Sequence, residues 1–178
     1  MKSAVNILKA NDWLYWTYAK FMYGTQKYRD STFEASKIID NLWLGGITST
    51  CNKEELMERN IQLIVTAVYG ASANFPYDFE YERANLKDIE SEDILEEIER
   101  VLPEIHNALQ EGKGVLVSCI QGRSRSASFV IAYLMRYRDM TLDAALKFVK
   151  DRRSQVDPNE GYLKQLKYFE LYNFSTKA

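Results

Sequence analysis

The chain has 178 residues, a formal net charge of −2, 46% hydrophobic residues and two cysteines. That length suits one domain with a sizeable core. The slight acidity argues against a nucleic-acid binder, no apolar stretch approaches the roughly 18 residues needed to span a membrane, and the single histidine argues against a His-rich metal site.

In chain order, residues 4–23 place Leu14, Tyr18, Phe21 and Met22 at helical spacing, with Trp13 and Trp16 nearby, which predicts an amphipathic helix. Lys9 and Asp12 interrupt what would otherwise resemble the core of a secretion signal. The first 34 residues hold Lys2, Lys9, Lys20, Lys27 and Arg29 against Asp12, Asp30 and Glu34, a net +2, too little for a polybasic membrane anchor. Residues 1–34 therefore read as a helical extension packed on a domain spanning 35–174. SKIIDNLWLGG predicts two short strands about a turn at Asp40–Asn41, and Lys53–Arg59 a short helix. The nearly continuous β-branched run Ile61–Val68 predicts a strand buried on both faces, and Phe79–Leu86 alternates as a further strand.

Ser91 is placed to cap the next helix, with Glu92 and Asp93 near its positive end. Ile94, Leu95, Ile98, Val101, Leu102, Ile105 and Leu109 keep a period near 3.6. Pro103 predicts a kink, and Gly112 and Gly114 end the helix. His106 lies near the apolar stripe, as a packed core residue would. GVLVSC is a buried strand, followed by helices over about 125–137, 141–152 (started by Thr141) and 159–173. Strands alternating with helices predict an α/β fold with a mainly parallel sheet flanked by helices, whose ligands bind beyond the strands' carboxyl ends.

Cys119 stands at such an end, in VSCIQGRSRSAS (Val117–Ser128). A tight strand-to-helix loop turns several N–H groups inward, and the helix N-terminus adds partial positive charge, so together they form an anion nest. Gly122 permits the turn and a close approach. Arg125 can return a guanidinium fork to the nest, a shape that suits two phosphate oxygens. The phosphate-binding segment is then Ile120, Gln121, Gly122, Arg123, Ser124 and Arg125. A thiol in this bowl should ionise readily and attack phosphorus, and the Ser126 hydroxyl can hydrogen-bond the sulfur. A poor leaving oxygen needs a proton, hence a carboxylic acid over the bowl. Asp88 follows the strand ending at Leu86 and sits at the same sheet edge as Cys119, while Glu90 and Glu92 are alternatives further along the loop.

CIQGRSRS resembles the Cys-x5-Arg signature of the protein tyrosine phosphatase superfamily, and its Ser-Arg-Ser ending is similar to the dual-specificity branch. SKIIDNLWLGG and DPNEGYLKQL (Asp157–Leu166) extend the resemblance over about residues 36–170. It implies a five-stranded sheet, a two-step mechanism without metal or other cofactor, and phosphorylated proteins as substrates. It also implies an acid at Asp88, with the pair Asp93–Ile94 five residues on. Where the family usually carries His before the cysteine, this chain has Ser118, which implies a higher thiol pKa and a slower enzyme than its relatives.

Two other functions compete with a protein phosphatase. Arg123 could add charge for a phosphoinositide or other anionic phospholipid head group, although Ile120 stands where lipid-directed relatives often carry Lys and a solvated rim arginine is the plainer reading. Ser118 alone suggests a phosphate-binding pseudophosphatase. Gln165 and Asn159 read as structural, Asn159 fixing the turn before the last helix. Nothing in the sequence brings Cys51 to Cys119 for a disulfide. With free thiols, a cytoplasmic or nuclear setting is expected.

Overall fold

A computed structural model of the chain describes Thr17 and residues 33–175. The expected helix over 4–23, apart from Thr17, lies outside the described residues. The elements are β1 (Ala35–Ile39), β2 (Leu42–Gly46), a 3₁₀ turn (Ile47–Cys51), α1 (Lys53–Glu58), β3 (Ile61–Thr66), β4 (Glu80–Arg83), α2 (Leu95–Gln110), β5 (Gly114–Cys119), α3 (Arg125–Tyr137), α4 (Leu142–Arg152) and α5 (Glu160–Ser175).

The five strands lie in the order β1-β2-β5-β3-β4. β2, β5, β3 and β4 run parallel, and β1 joins the edge antiparallel to β2. The β1–β2 hairpin turns at Asn41, whose φ of 62° is a conformation Asn tolerates. β5 is central and buried at every position. Its side chains alternate between two apolar layers: Val115 and Val117 join Leu42, Leu44, Leu63 and Val65 under the long helices, while Leu116 joins Leu56, Ile61, Ile64 and Phe79 on the opposite face. A register irregularity between Ile61 and Leu63 lets Ile61 and Ile64 share that second face.

α3 is buried from Arg125 through Met135, as a helix enclosed by a sheet and by other helices must be. Each fully buried aliphatic or aromatic side chain of this layer contributes about 1.5–3 kcal/mol. Thr141 caps α4, its hydroxyl accepting from the Ala144 amide. Among the described residues, no helix is long and apolar enough to cross a membrane.

Two local expectations change. Ser91 does not cap α2. The helix begins at Leu95, where the Asp93 carboxylate accepts from the Leu95 amide, and the Ile94 amide is taken by Gln165 Oε1 at 2.8 Å. Tertiary contact with α5 therefore sets this helix start. Pro103 lies inside α2, and the carbonyl that loses its donor there belongs to exposed Glu99. The fourth strand pairs only over Glu80–Arg83, since it is an edge with β3 as its sole neighbour.

The first turn of α5 abuts the loop after β4 at Gly161, where a Cβ would fall 1.9 Å from the Glu90 carbonyl oxygen. Gly161→Ala is expected to force that loop from α5 and to cost on the order of 1–3 kcal/mol, the usual range for overpacking. At this chain length that lowers the thermal midpoint by about 2–4 °C per kcal/mol, as calorimetry would read it.

Candidate active site

The loop Ile120–Ser124 carries the chain from the end of β5 into α3. Its backbone, more than its side chains, faces the bowl. Ile120 turns its side chain into the core, and its carbonyl accepts from the Ile47 amide at 3.2 Å. Gly122 has a φ of +68°, and a Cβ there would lie 2.5 Å from the Gly45 carbonyl carbon, so the residue must lack a side chain for the loop to close over the end of β2. The exposed Arg123 side chain points away to Asp157, 2.5 Å distant, at the rim position the sequence reading favoured.

Cys119 is 1% exposed. Its sulfur accepts from the Gly122 amide at 3.3 Å and from the Ser126 hydroxyl at 3.1 Å. Burial opposes ionisation and is the largest single influence on this thiol. The Arg125 guanidinium and the hydrogen bonds from Ser126 together outweigh it, against a small opposing effect of Asp88, and hold the thiol below its ordinary value. Arg125 is 4% exposed and opens α3. It donates to the Leu86 carbonyl at 3.3 Å, and its Nε lies 3.5 Å from Asp88 Oδ2.

Of the three carboxylates weighed on the loop after β4, the structure brings Asp88 to the bowl. Its Oδ1 accepts from the Ser124 hydroxyl at 2.6 Å and from Asn159 Nδ2 at 3.0 Å. Glu92 is instead occupied with the Lys87 amide, and Glu90 is exposed. Ser124 was expected to serve phosphate, yet its side chain serves Asp88. It also leaves the N-terminus of α3 without a side-chain cap, so the first-turn amides remain available to an anion.

Asn159 does more than fix a turn. Its Oδ1 accepts from the Tyr162 amide and so caps α5, while its Nδ2 holds Asp88. Tyr162 reaches back to the Lys87 carbonyl. Gln165 bridges to the Ile94 amide and the Glu92 carbonyl, the structural part expected of it. Ser118, buried, donates to the Val65 carbonyl across the sheet at 3.2 Å, so its hydroxyl is engaged away from the thiol. Arg153 and Gln155, which sequence reasoning did not single out, reach the outer side of the loop.

His106 stacks on Tyr137 with ring centres 4.0 Å apart, a packing role. Cys51 and Cys119 are both free thiols. Among the described residues, no group of three or more His, Cys, Asp or Glu side chains is placed to hold a metal ion. A cleft of about 250 Å³ borders the loop, lined by Glu34, Thr48, Gln121, Arg123 and Gln155 among others.

A strand–loop–helix anion nest with a sulfur at its floor, on a mainly parallel sheet, defines the architecture of a cysteine phosphatase. The family model for the dual specificity phosphatase catalytic domain matches residues 42–171. The chain is 34% identical over 146 residues to dual specificity protein phosphatase 1B of Arabidopsis thaliana, covering 82% of this chain and 87% of that one. It is 35% identical over 143 residues to dual specificity protein phosphatase 1 of the same plant, covering 80% and 72%. Among solved structures, human DUSP28 superposes with a TM-score of 0.77 at 28% identity, covering 80% of this chain and 99% of that one. The chain belongs to the dual specificity phosphatase family, and it is a cysteine-dependent protein phosphatase.

Because the Cys119 thiol is held down, its thiolate persists to lower pH than an ordinary cysteine's and is lost as pH falls through the depressed value. Alkylation by iodoacetamide, followed against pH, should show a midpoint below the ordinary thiol value, and Ser126→Ala should move that midpoint upward.

Proposed function

We propose that the protein hydrolyses phosphotyrosine and phosphoserine or phosphothreonine side chains of phosphorylated proteins through a phosphocysteine intermediate, with residues 35–174 as its catalytic domain and 1–34 as a helical extension packed on it. The Cys119 thiolate attacks phosphorus from behind while the bond to the leaving oxygen breaks. Asp88 gives its proton to that oxygen, using the carboxylate oxygen not engaged by Ser124 and Asn159. Arg125 and the amides of residues 120–125 hold the phosphoryl oxygens through both steps. Asp88 then takes a proton from water as the water attacks phosphorus, and the sulfur leaves as a thiolate that accepts from the Ser126 hydroxyl.

The convergence of Gly122, Ser126 and Arg125 on one buried sulfur, with Asp88 beside Arg125, carries this reading. The site needs a reduced thiol, which favours the cytosol or nucleus. Arg123 is occupied by Asp157, which favours phosphoproteins over phosphoinositide or other phospholipid head groups.

Cys119→Ser should abolish release of phosphate from an aryl phosphate, and intact turnover would remove Cys119 as nucleophile. Asp88→Ala should slow turnover by about a hundredfold or more while phosphate still binds. Phosphopeptides should be hydrolysed faster than phosphoinositides in a side-by-side panel, with a metal chelator leaving the rates unchanged. The reverse order would make the enzyme a lipid phosphatase.

A further inference from the structure

The peptide whose amide donates to the sulfur is itself held from outside. Arg153, the residue that follows α4 as its C-cap, reaches the outer side of the loop with its whole fork. Its Nη2 donates to the Gln121 carbonyl at 2.9 Å, its Nε to the Gly122 carbonyl at 2.9 Å, and its Nη1 to the Glu34 carbonyl at 3.1 Å. Gln155 Nε2 adds a second donor to the Gln121 carbonyl at 2.8 Å. All described peptides are trans, so in each the N–H points opposite its C=O. The peptide whose oxygen is gripped by Arg153 and Gln155 is therefore the one whose N–H, on Gly122, donates to Cys119 Sγ at 3.3 Å. The next peptide, with its oxygen on Arg153 Nε, directs the Arg123 N–H the same way.

We propose that Arg153, assisted by Gln155, is a positioning residue of this phosphatase. It locks two consecutive peptides of the phosphate loop with their N–H groups inward, and through them it favours both the thiolate and the bound phosphoryl group. This rests on the reading of Cys119 as nucleophile. Without Arg153 the two carbonyls would lose their outward partners. The peptide 121–122 could then rotate, turning a carbonyl oxygen toward the sulfur where an N–H now stands. Gly122, with its positive φ and no Cβ, is the residue in the loop least resistant to such a rotation. Burial pushes the Arg153 guanidinium down from its ordinary value while the Cys119 thiolate pushes the other way, an attraction in the same sense as the hydrogen-bond path. Arginine is needed because three carbonyls set around one planar fork cannot all be met by a lysine ammonium on a flexible stem.

The test is the pH profile of iodoacetamide alkylation at Cys119, together with the inhibition constant for inorganic phosphate, in full-length wild type, Arg153→Gln, Arg153→Lys and Gln155→Ala. Arg153→Gln should raise the alkylation midpoint by about one pH unit, a tenfold loss of thiolate below it, and weaken phosphate inhibition by about tenfold. Arg153→Lys should recover less than half of either shift. Gln155→Ala, at an exposed position, should move both readouts in the same direction by a smaller amount with an unchanged thermal midpoint. A residue that merely supports the fold would lower the thermal midpoint and leave the titration of folded molecules where it was. A folded Arg153→Gln with the wild-type midpoint and phosphate affinity overturns the proposal. If Arg153→Gln does not fold, Gln155→Ala decides: a shift in both readouts supports the proposal, and wild-type values overturn it. A wild-type thiol that titrates at the ordinary value, with Cys119→Ser still active, would instead overturn the assignment of the nucleophile.

Discussion

The site turns on an electrostatic conflict at one atom. The Cys119 sulfur is nearly inaccessible to water, and burial alone would keep it a thiol. The fold answers with donors and positive charge placed before any substrate arrives: the Gly122 amide, the Ser126 hydroxyl, the Arg125 guanidinium and the uncapped first turn of α3. Fixed dipoles of this kind are most effective where water is excluded. The conditions that favour the thiolate also favour the phosphoryl oxygens that will surround it.

These donors stay in place because the loop is confined on every side. β5 is held between β2 and β3, so Cys119 is delivered to a fixed point at the sheet's edge. The end of β2 meets Gly122 from below, and the loop continues directly into α3, buried from Arg125 through Met135. Across the bowl, the Ser124 hydroxyl donates to Asp88. The loop that holds Cys119 thus also orients the Asp88 carboxylate.

Much of this was legible in the sequence where the chemistry is local. Cys119, Gly122, Arg125 and Ser126 lie within one strand–loop–helix segment, so their spacing and the β-rich run before them suffice to place them together. Asp88 needed one further step, the inference that the strand before it ends at the same edge, and the parallel register of β3 with both β4 and β5 satisfies it. The contributions of Asn159, Gln155 and Arg153 were not legible in the same way. Each meets the site across 31 to 71 residues of chain, from turns whose composition announces only a turn. The start of α2 was misread for a related reason: Ser91 has the right local chemistry for a cap, but Gln165, from a helix 71 residues further on, satisfies the Ile94 amide and moves the helix start. Local signals lose where a distant side chain supplies the missing acceptor.

The beginning of the last helix gathers several of these threads. Asn159 caps it and grips Asp88, Tyr162 reaches the Lys87 carbonyl, Gly161 lies against Glu90, and Gln165 ties the stretch leading into α2. A chain shortened from its carboxyl end past this point would lose more than an appendage. It would lose the side chains against which the Asp88 carboxylate is set, and with them Tyr162, Leu166 and Phe169 of the main core, so the same short stretch of chain serves both the placing of that carboxylate and the closing of the interior around Cys119.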